Sequence, residues 1–202
     1  MNLIINETDH PLIIKVASIQ SARLQIYFID NEDFFQRRNT VVDDDGEEYE
    51  DNDERVVFFT RGVMETVKKL RWTPDVIHCQ GWMTALAPLY IKKAYNEDPF
   101  FKKSKVVYSL FEDEFKKSFR PSFADHLMLE GIEPEHLTSI EGKDINYEAL
   151  SKLAVDFSDG VIQSSKTVNQ EVLNYVSEKK VKFLPFVDED YADDYIKFYE
   201  SL

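Results

Sequence analysis

The residues with the clearest potential for chemistry lie in the segment 74–86, which reads PDVIHCQGWMTAL. An apolar strand is predicted to end there in His78, and Gly81 and Trp82 follow at the start of a helix. Open α/β sheets bind their ligands at the carboxyl ends of parallel strands. His78 is therefore either a hydrogen-bond donor to a hydroxylated ligand or a histidine satisfied by a backbone carbonyl under the loop.

Four other residues are candidates for the same edge of the sheet. Trp82 either packs against a helix, which is the simpler interpretation, or forms an aromatic floor for a sugar ring. Asp51, Asn52 and Arg55 either approach a ligand or cap the next helix and pair across its first turn. The residue types alone leave both possibilities open.

Several catalytic patterns are absent from the sequence. The six glycines are scattered, without a G-x-G-x-x-G or G-x-x-x-x-G-K-[ST] phosphate loop. There is no G-x-S-x-G elbow, no H-E-x-x-H and no zinc-type Cys–His spacing, so we expect no metal site. Cys79 points away from His78 in a strand, which argues against a Cys–His nucleophile.

Composition limits the partners. The net charge of −14 at pH 7 disfavours nucleic acid and anionic membranes, whereas a neutral or cationic ligand or a polysaccharide is compatible with it. No apolar run approaches the roughly 18 residues that would span a membrane, and the opening decapeptide lacks signal-peptide features. A single cysteine fits a reducing compartment, so we expect a cytoplasmic protein.

The elements that would position these residues follow a recognisable order. Two β-rich runs, 12–19 and 24–30, predict a strand pair, and a long polar surface loop follows them. A helix is predicted over 56–70, with Asn52 or Asp53 as its N-cap. Strands and helices then alternate: strands at 74–79, 105–111, 160–165 and 181–186, and helices at 84–95, 121–132, 146–160, 166–180 (capped by Ser164 or Ser165) and near 191–199.

This alternation predicts one α/β domain over 1–202, a Rossmann-like parallel sheet with helices on both faces. The usual opening strand-loop-helix unit is not found, so the chain is expected to begin inside a domain. Residue patterns alone lead no further than this fold and one candidate edge site.

Three segments carry a resemblance to a known family. YFIDNEDFFQR (27–37), the stretch 49–95 that begins YEDNDER and contains PDVIHCQGW, and LAVDFSDGVIQSS (153–165) occur in this order. Together they resemble the N-terminal, starch synthase catalytic-type domain of bacterial glycogen (starch) synthase, and most of all short single-domain glycogen-synthase-like proteins of the Bacteroides group. That family has tyr-x-asp-asn-x-x-arg at a helix start and pro-asp-ile-ile-his-x-his-asp-trp further on.

The resemblance implies half of a retaining glycosyltransferase of the GT-B fold, which passes glucose from ADP-glucose to an α-1,4-glucan and needs no cofactor. By position, Asp51 matches the family's cleft aspartate, His78 its first histidine and Trp82 its tryptophan, while Asn52 and Arg55 belong to the same helix-start motif. Neutral donors at a strand edge can hold sugar hydroxyls while a diphosphate leaves.

The departures from the family pattern are equally informative. Gln80 occupies the slot of the second histidine and can bond a hydroxyl without carrying a proton, and Gly81 replaces the aspartate before tryptophan. The strand ending ile-his-asn in the family reads SLFED at 109–113. The lys-x-gly-gly-leu loop and the second domain, which supplies the cations for the diphosphate, are not found in these residues.

Three hypotheses follow. The first is a glycogen synthase domain that transfers no glucose as this isolated chain. The second is a non-catalytic relative that binds glucan or a partner protein, with possible self-association through the exposed cleft face. The third is an unrelated sugar-nucleotide-binding Rossmann domain.

Overall fold

The computed structural model describes residues 1–142 and 144–202. The strands are β1 (Asn2–Ile5), β2 (Thr8–Pro11), β3 (Ile13–Ile19), β4 (Leu24–Asp30), β5 (Val76–Gln80), β6 (Lys105–Leu110), β7 (Gly160–Gln163) and β8 (Lys182–Leu184). The α-helices are α1 (Glu32–Phe35), α2 (Asn52–Leu70), α3 (Ala87–Leu89), α4 (Phe123–His126), α5 (Tyr147–Asp156), α6 (Gln170–Lys179) and α7 (Tyr191–Glu200). Short 3₁₀ segments lie at Gln20–Ala22, Trp82–Thr84 and Pro134–Leu137, and a π-turn at Tyr90–Ala94.

The centre of the fold is a parallel sheet of four strands in the order β5-β6-β7-β8. In its register His78 lies beside Val107 and Gln80 beside Ser109. The two inner strands read as almost continuous apolar runs because both of their faces are covered. This confirms the predicted Rossmann-like α/β fold.

Helices cover the two faces of the sheet unequally. The main core lies on one face, where α2, α3, α5 and α6 pack with Val106, Tyr108 and Val161. On the other face α7 covers a smaller cluster, with Phe198 against Val107 and Ile162. Successive strand residues point to opposite faces, so His78 shares the α7 side with Val107.

Two antiparallel hairpins precede the parallel sheet. The predicted strand pair is confirmed as β3 and β4, and its inner end packs on α2, where a Cβ on Gly62 would meet Ile29. The pair β1–β2 was not predicted, because its short strands include the polar run Thr8–His10. Only Leu3 and Ile5 of β1 are buried.

Several predicted boundaries were wrong. The N-cap position of α2 is Asp51 and not Asn52 or Asp53, which lie inside the first turn, and the helix expected over 121–132 is confined to α4. The strand expected over 74–79 runs from Val76 to Gln80, because parallel pairing with β6 covers these residues. Asn169, not Ser164 or Ser165, caps α6, since its side chain accepts the Val172 N–H. The helix expected at 84–95 is a succession of 3₁₀, α and π turns in which Pro88 occupies the first turn.

Candidate functional site

Gln80 is the candidate residue that reaches the carboxyl edge of the sheet with its side chain exposed. It ends β5, and the next residue donates its backbone N–H to the Ser109 carbonyl at 3.2 Å. The neighbouring strand ends are tied together by the Ser164 N–H to Leu110 carbonyl bond at 2.8 Å. The Glu112 N–H donates to the Ser165 hydroxyl at 3.1 Å. The edge around Gln80 is thus an ordered rim of amide, hydroxyl and carboxylate groups.

Gly81 allows the backbone to turn sharply after β5. Its φ of +73° lies where glycine is favoured, and a Cβ there would come within 2.5 Å of a carboxylate oxygen of Asp113. That oxygen accepts the Trp82 backbone N–H at 3.1 Å, and the other carboxylate oxygen accepts the Tyr147 hydroxyl at 3.3 Å. The Asp113 carboxylate therefore fills the space that a side chain at position 81 would need.

Sequence reasoning missed Asp113 as a residue of the site. Burial raises the pKa of its carboxyl group, and the hydrogen bond from the Trp82 N–H opposes this rise. Nothing in the periodicity distinguishes Asp113 from its neighbours Glu112 and Glu114 in the run EDE. The one usable signal was the glycine at position 81, which indicated a close approach from another segment.

His78 precedes Gln80 by two residues in β5 and is covered by α7. Its Nε2 atom bonds the Ser109 hydroxyl, and its Nδ1 atom bonds the Tyr199 hydroxyl at 2.8 Å. The ring also meets the edge of Tyr195, with centroids 5.9 Å apart. Desolvation lowers the pKa of His78 to about 4, so the imidazole is neutral at pH 7. Both of its nitrogen atoms are engaged by hydroxyl groups of this chain.

Trp82 lies in the core and not on the rim. Its side chain is 5% exposed and its ring centroid lies 5.0 Å from that of Phe115 and 6.0 Å from that of Phe119. The latter two rings are stacked on each other. In this structure the indole holds the loop after β6 against the start of the helical segment, as the packing interpretation expects.

The helix-start residues form a separate, inward-facing network. Arg55 is 1% exposed, and its guanidinium donates to the Phe34 and Thr40 carbonyl oxygens and to the Asn52 side chain. Asn52 in turn donates to the Val41 carbonyl oxygen at 2.9 Å. These bonds fix the polar loop before α2 in one conformation. Desolvation lowers the pKa of Arg55.

Asp51 forms an ion pair with Arg37. Both guanidinium NH groups of Arg37 donate to its carboxylate, and this pairing raises the pKa of Arg37. About a quarter of each side chain is exposed. Asp51 is therefore closer to solvent than Asn52 and Arg55, but its charge is already neutralised.

The charge around the rim is predominantly negative. Glu112 and Glu114 are exposed beside the half-buried Asp113, while Lys166 supplies the exposed cation that follows β7. A hydroxylated neutral ligand can accept and donate hydrogen bonds at such a rim. A diphosphate would meet repulsion from the carboxylates there. Among the described residues, no group of three His, Cys, Asp or Glu side chains could hold a metal ion.

The parallel sheet, with helices on both of its faces and Gln80 at its carboxyl edge, has the architecture of a Rossmann-like domain of the class found in GT-B glycosyltransferases. The catalytic domain of starch synthase IV from Arabidopsis thaliana, solved with ADP and acarbose, has the same fold. The TM-score is 0.69 at 19% identity, over 93% of this chain and 39% of that one.

Sequence comparison identifies the family. Residues 3–183 match the family of starch synthase catalytic domains, and the chain belongs to it. Glycogen synthase of Chlorobaculum parvum is 33% identical over 173 residues, which are 83% of this chain and 34% of that protein. Glycogen synthase of Clostridium perfringens is 33% identical over 149 residues, 73% of this chain and 29% of that protein. The chain thus spans about a third of the length of these relatives.

In the part of the chain that the structure describes, none of the helices is long and apolar enough to cross a lipid bilayer.

Proposed function

We propose that this chain forms one wall of a cleft in which glucose is transferred from ADP-glucose to the end of an α-1,4-glucan. The observation that carries the proposal is the match to starch synthase catalytic domains over residues 3–183. The exposed Gln80 at the carboxyl edge of a parallel sheet supports it, because ligands of open α/β folds bind at this edge. The lone, buried Cys79 fits a cytoplasmic location.

Within this proposal the candidate residues divide into two groups. Gln80 contacts a sugar hydroxyl through its amide, which bonds the hydroxyl without exchanging a proton with it. His78 holds the strand end behind Gln80, and Asp51, Asn52 and Arg55 hold the loop and helix that border the cleft. Trp82 orders the turn between them. These residues are positioning groups, and Gln80 is the binding group.

Transfer from a nucleotide sugar also requires cations that stabilise the departing diphosphate. At this rim the exposed Glu112 and Glu114 have the opposite charge. Each missing diphosphate contact costs roughly 3–4 kcal/mol of transition-state stabilisation, as for other preorganised donors. We therefore expect that a polypeptide of these 202 residues transfers no glucose by itself.

Two measurements test the proposal. Labelled ADP-glucose is incubated with glycogen and the 202-residue polypeptide, and we expect no label in the glycogen. Detectable incorporation would refute the expected inactivity. Separately, an amide NMR titration with maltoheptaose should shift the signals of Gln80, Gly81 and Ser165. Saturating maltoheptaose that leaves all three signals in place would refute the proposed wall.

A second candidate function is binding of glucan, or of a partner protein that completes the cleft, without catalysis. The cover of His78 by α7 and the acidic rim favour this alternative for the isolated chain. In a variant of this second function, the binding partner is another copy of the same chain. The two functions separate when a partner or second domain is added: only the first predicts that glucose transfer then appears and that Gln80→Ala diminishes it.

A further inference from the structure

A groove away from the rim lies between the turn of the β3–β4 hairpin and the carboxyl end of α2. It encloses about 610 Å³ and is open to solvent. Its lining residues are Arg23, Leu24, Gln25, Tyr27, Leu70, Arg71 and Trp72. Neither the sequence motifs nor the candidate site at Gln80 accounts for it.

The groove has an exposed apolar floor. Trp72 is 56% exposed, Leu24 48% and Leu70 44%. None of the ring contacts in the described residues involves the Trp72 indole, and more than half of the Trp72 surface is accessible to solvent. An exposed aromatic ring flanked by leucines is an unfavourable surface in water unless something covers it.

Hydrogen-bonding groups surround this floor, and most of them are donors. Arg23 and Arg71 carry guanidinium groups for which the described structure gives no hydrogen bond or ion pair with another side chain. Gln25 accepts the Tyr27 hydroxyl at 2.7 Å and keeps its amide NH₂ group available. The lining contains no carboxylate, although the chain has a net charge of −14.

The backbone holds both arginines in fixed positions. Arg71 has a φ of +52° and ends α2: its N–H bonds the Lys68 carbonyl at 3.0 Å, and the Trp72 N–H bonds the Val67 carbonyl at 3.2 Å. This pair of bonds is a Schellman motif, in which glycine is the usual residue. Arg23, with a φ of +51°, ends the 3₁₀ segment of the hairpin in the same left-handed conformation.

A ligand that fits this surface presents an apolar face to the indole and hydroxyl groups to the surrounding donors. Pyranose rings do both, because their C–H bonds stack on aromatic faces and their hydroxyls accept bonds from guanidinium and amide groups. An inorganic anion would use the arginines but leave the apolar floor exposed. A groove of this volume, open to solvent, accommodates several linked sugar rings.

We infer that the groove between the hairpin turn and the end of α2 is an accessory binding site for an α-glucan chain, with Trp72 as its stacking platform. The inference deepens the proposed function, since it names a second place where the glucan is held, but its residues are separate from the rim around Gln80. Binding here would keep the chain on the polymer whether or not the rim takes part in transfer.

The two tryptophans provide the experiment. Trp72 is exposed and Trp82 buried, so acrylamide should quench mainly Trp72 fluorescence. We expect maltoheptaose to protect Trp72 from quenching in the 202-residue chain and pyrophosphate to give no protection. The variant Trp72→Ala should weaken retention in glycogen-containing native gels by about threefold to tenfold, the range for one aromatic contact. Unchanged quenching with saturating maltoheptaose, or protection by pyrophosphate alone, would overturn the site.

A matched pair of variants separates binding from folding. Arg71→Gly places glycine in the left-handed C-cap of α2, and Lys180→Gly does the same at the C-cap of α6, away from the groove. Both variants should unfold at an equal or higher temperature than the parent chain. Arg71→Gly should weaken glycogen retention, and Lys180→Gly should leave it unchanged. Equal retention of both variants, or equal loss, would contradict the role of Arg71.

The variant Gln80→Ala leaves the groove intact. Loss of sugar binding at the rim can therefore be distinguished from loss of glucan binding in the groove.

Discussion

At the scale of single residues, the covered imidazole of His78 couples folding to pH. Its pKa is about 4 in the folded chain and about 6.5 in the unfolded chain, so only the unfolded state is protonated between these values. The contribution of His78 to the free energy of unfolding is therefore complete above pH 6.5 and is lost as the pH falls towards 4. Its partial exposure reduces the effect to about 1–2 kcal/mol.

Urea unfolding at pH 7.5 and pH 4.5 measures this effect. The variant His78→Gln retains hydrogen-bonding groups for Ser109 and Tyr199 but does not titrate, so the difference in stability between the two pH values should be smaller in the variant. Carboxylates elsewhere affect both proteins equally. The same pH dependence in parent and variant would mean that the imidazole is solvated.

Gly81 and Asp113 make a second residue-scale prediction. Gly81→Ala should lower the free energy of unfolding by about 2–3 kcal/mol, because alanine is strained at φ +73° and its Cβ would meet the Asp113 carboxylate. In the background of Asp113→Ala the same change should cost about 1 kcal/mol less, since the contact is gone. Chemical denaturation of the four proteins gives the coupling. A coupling of zero would show that the two residues do not touch.

At the scale of elements, the start of α2 is held to the loop after β6 by one buried carboxylate. Asp53 is 1% exposed, and Arg120 donates two hydrogen bonds to it and one to Glu54. The pairing raises the pKa of Arg120. Arg120→Ala would leave the Asp53 charge buried, and within residues 1–142 and 144–202 the Glu54 N–H would be its one remaining hydrogen-bond partner. The variant should be less stable by about 2–3 kcal/mol.

Thermal unfolding tests this link, with Arg38→Ala as the control, because its partner Asp44 is largely exposed. The control should be within about 0.5 kcal/mol of the parent. If Arg120→Ala behaved like the control, the ion pair would not hold the loop.

The type of an element, helix or strand, could be predicted where its apolar residues recur at a regular spacing. The surroundings of a side chain could not be predicted where they depend on contacts between distant parts of the sequence. The alternation around Val107 and Ile162 was sufficient to predict a parallel sheet. The cover of His78 by α7 was not predictable, because it depends on a contact between residues 121 positions apart. The same applies to Asp113, which meets Gly81 only after β5 and β6 pair.

Among the sequence candidates, Gln80 is exposed at the end of β5, and its role in binding stays a prediction. Arg55 shows what a motif match leaves undecided. Position in a family motif identified Arg55, but the structure surrounds its guanidinium with backbone carbonyl oxygens of the preceding loop. A motif match shows which residue type occurs at a given position of the fold. It does not distinguish contact with a ligand from support of the loop beside it.

At the scale of the whole molecule, the outer face of the β3–β4 hairpin is an exposed apolar surface suited to self-association. Ile13, Ile19, Leu24 and Phe28 are each between 38% and 52% exposed, and the register places them on one face. The ion pair of Lys15 with Asp30 on that face is neutral overall. Two copies that each carry a charge of −14 should repel, so association through this face should strengthen as salt is added.

Sedimentation at increasing protein and salt concentration should therefore show a growing share of dimer. Phe28→Lys should abolish the growth, while Phe183→Lys, an exposed phenylalanine on β8, should not. A strictly monomeric mass at all concentrations would contradict this face as an interface. Dimers that persist in Phe28→Lys would assign them to another surface.

The proposed function requires that the carboxyl edge of the parallel sheet faces a sugar chain. A crystal structure of the 202-residue chain with maltoheptaose tests it most directly. We expect electron density for at least one glucose ring within hydrogen-bonding distance of the Gln80 amide. Ordered maltoheptaose elsewhere on the molecule, with only water beside Gln80 at saturating ligand, would contradict it.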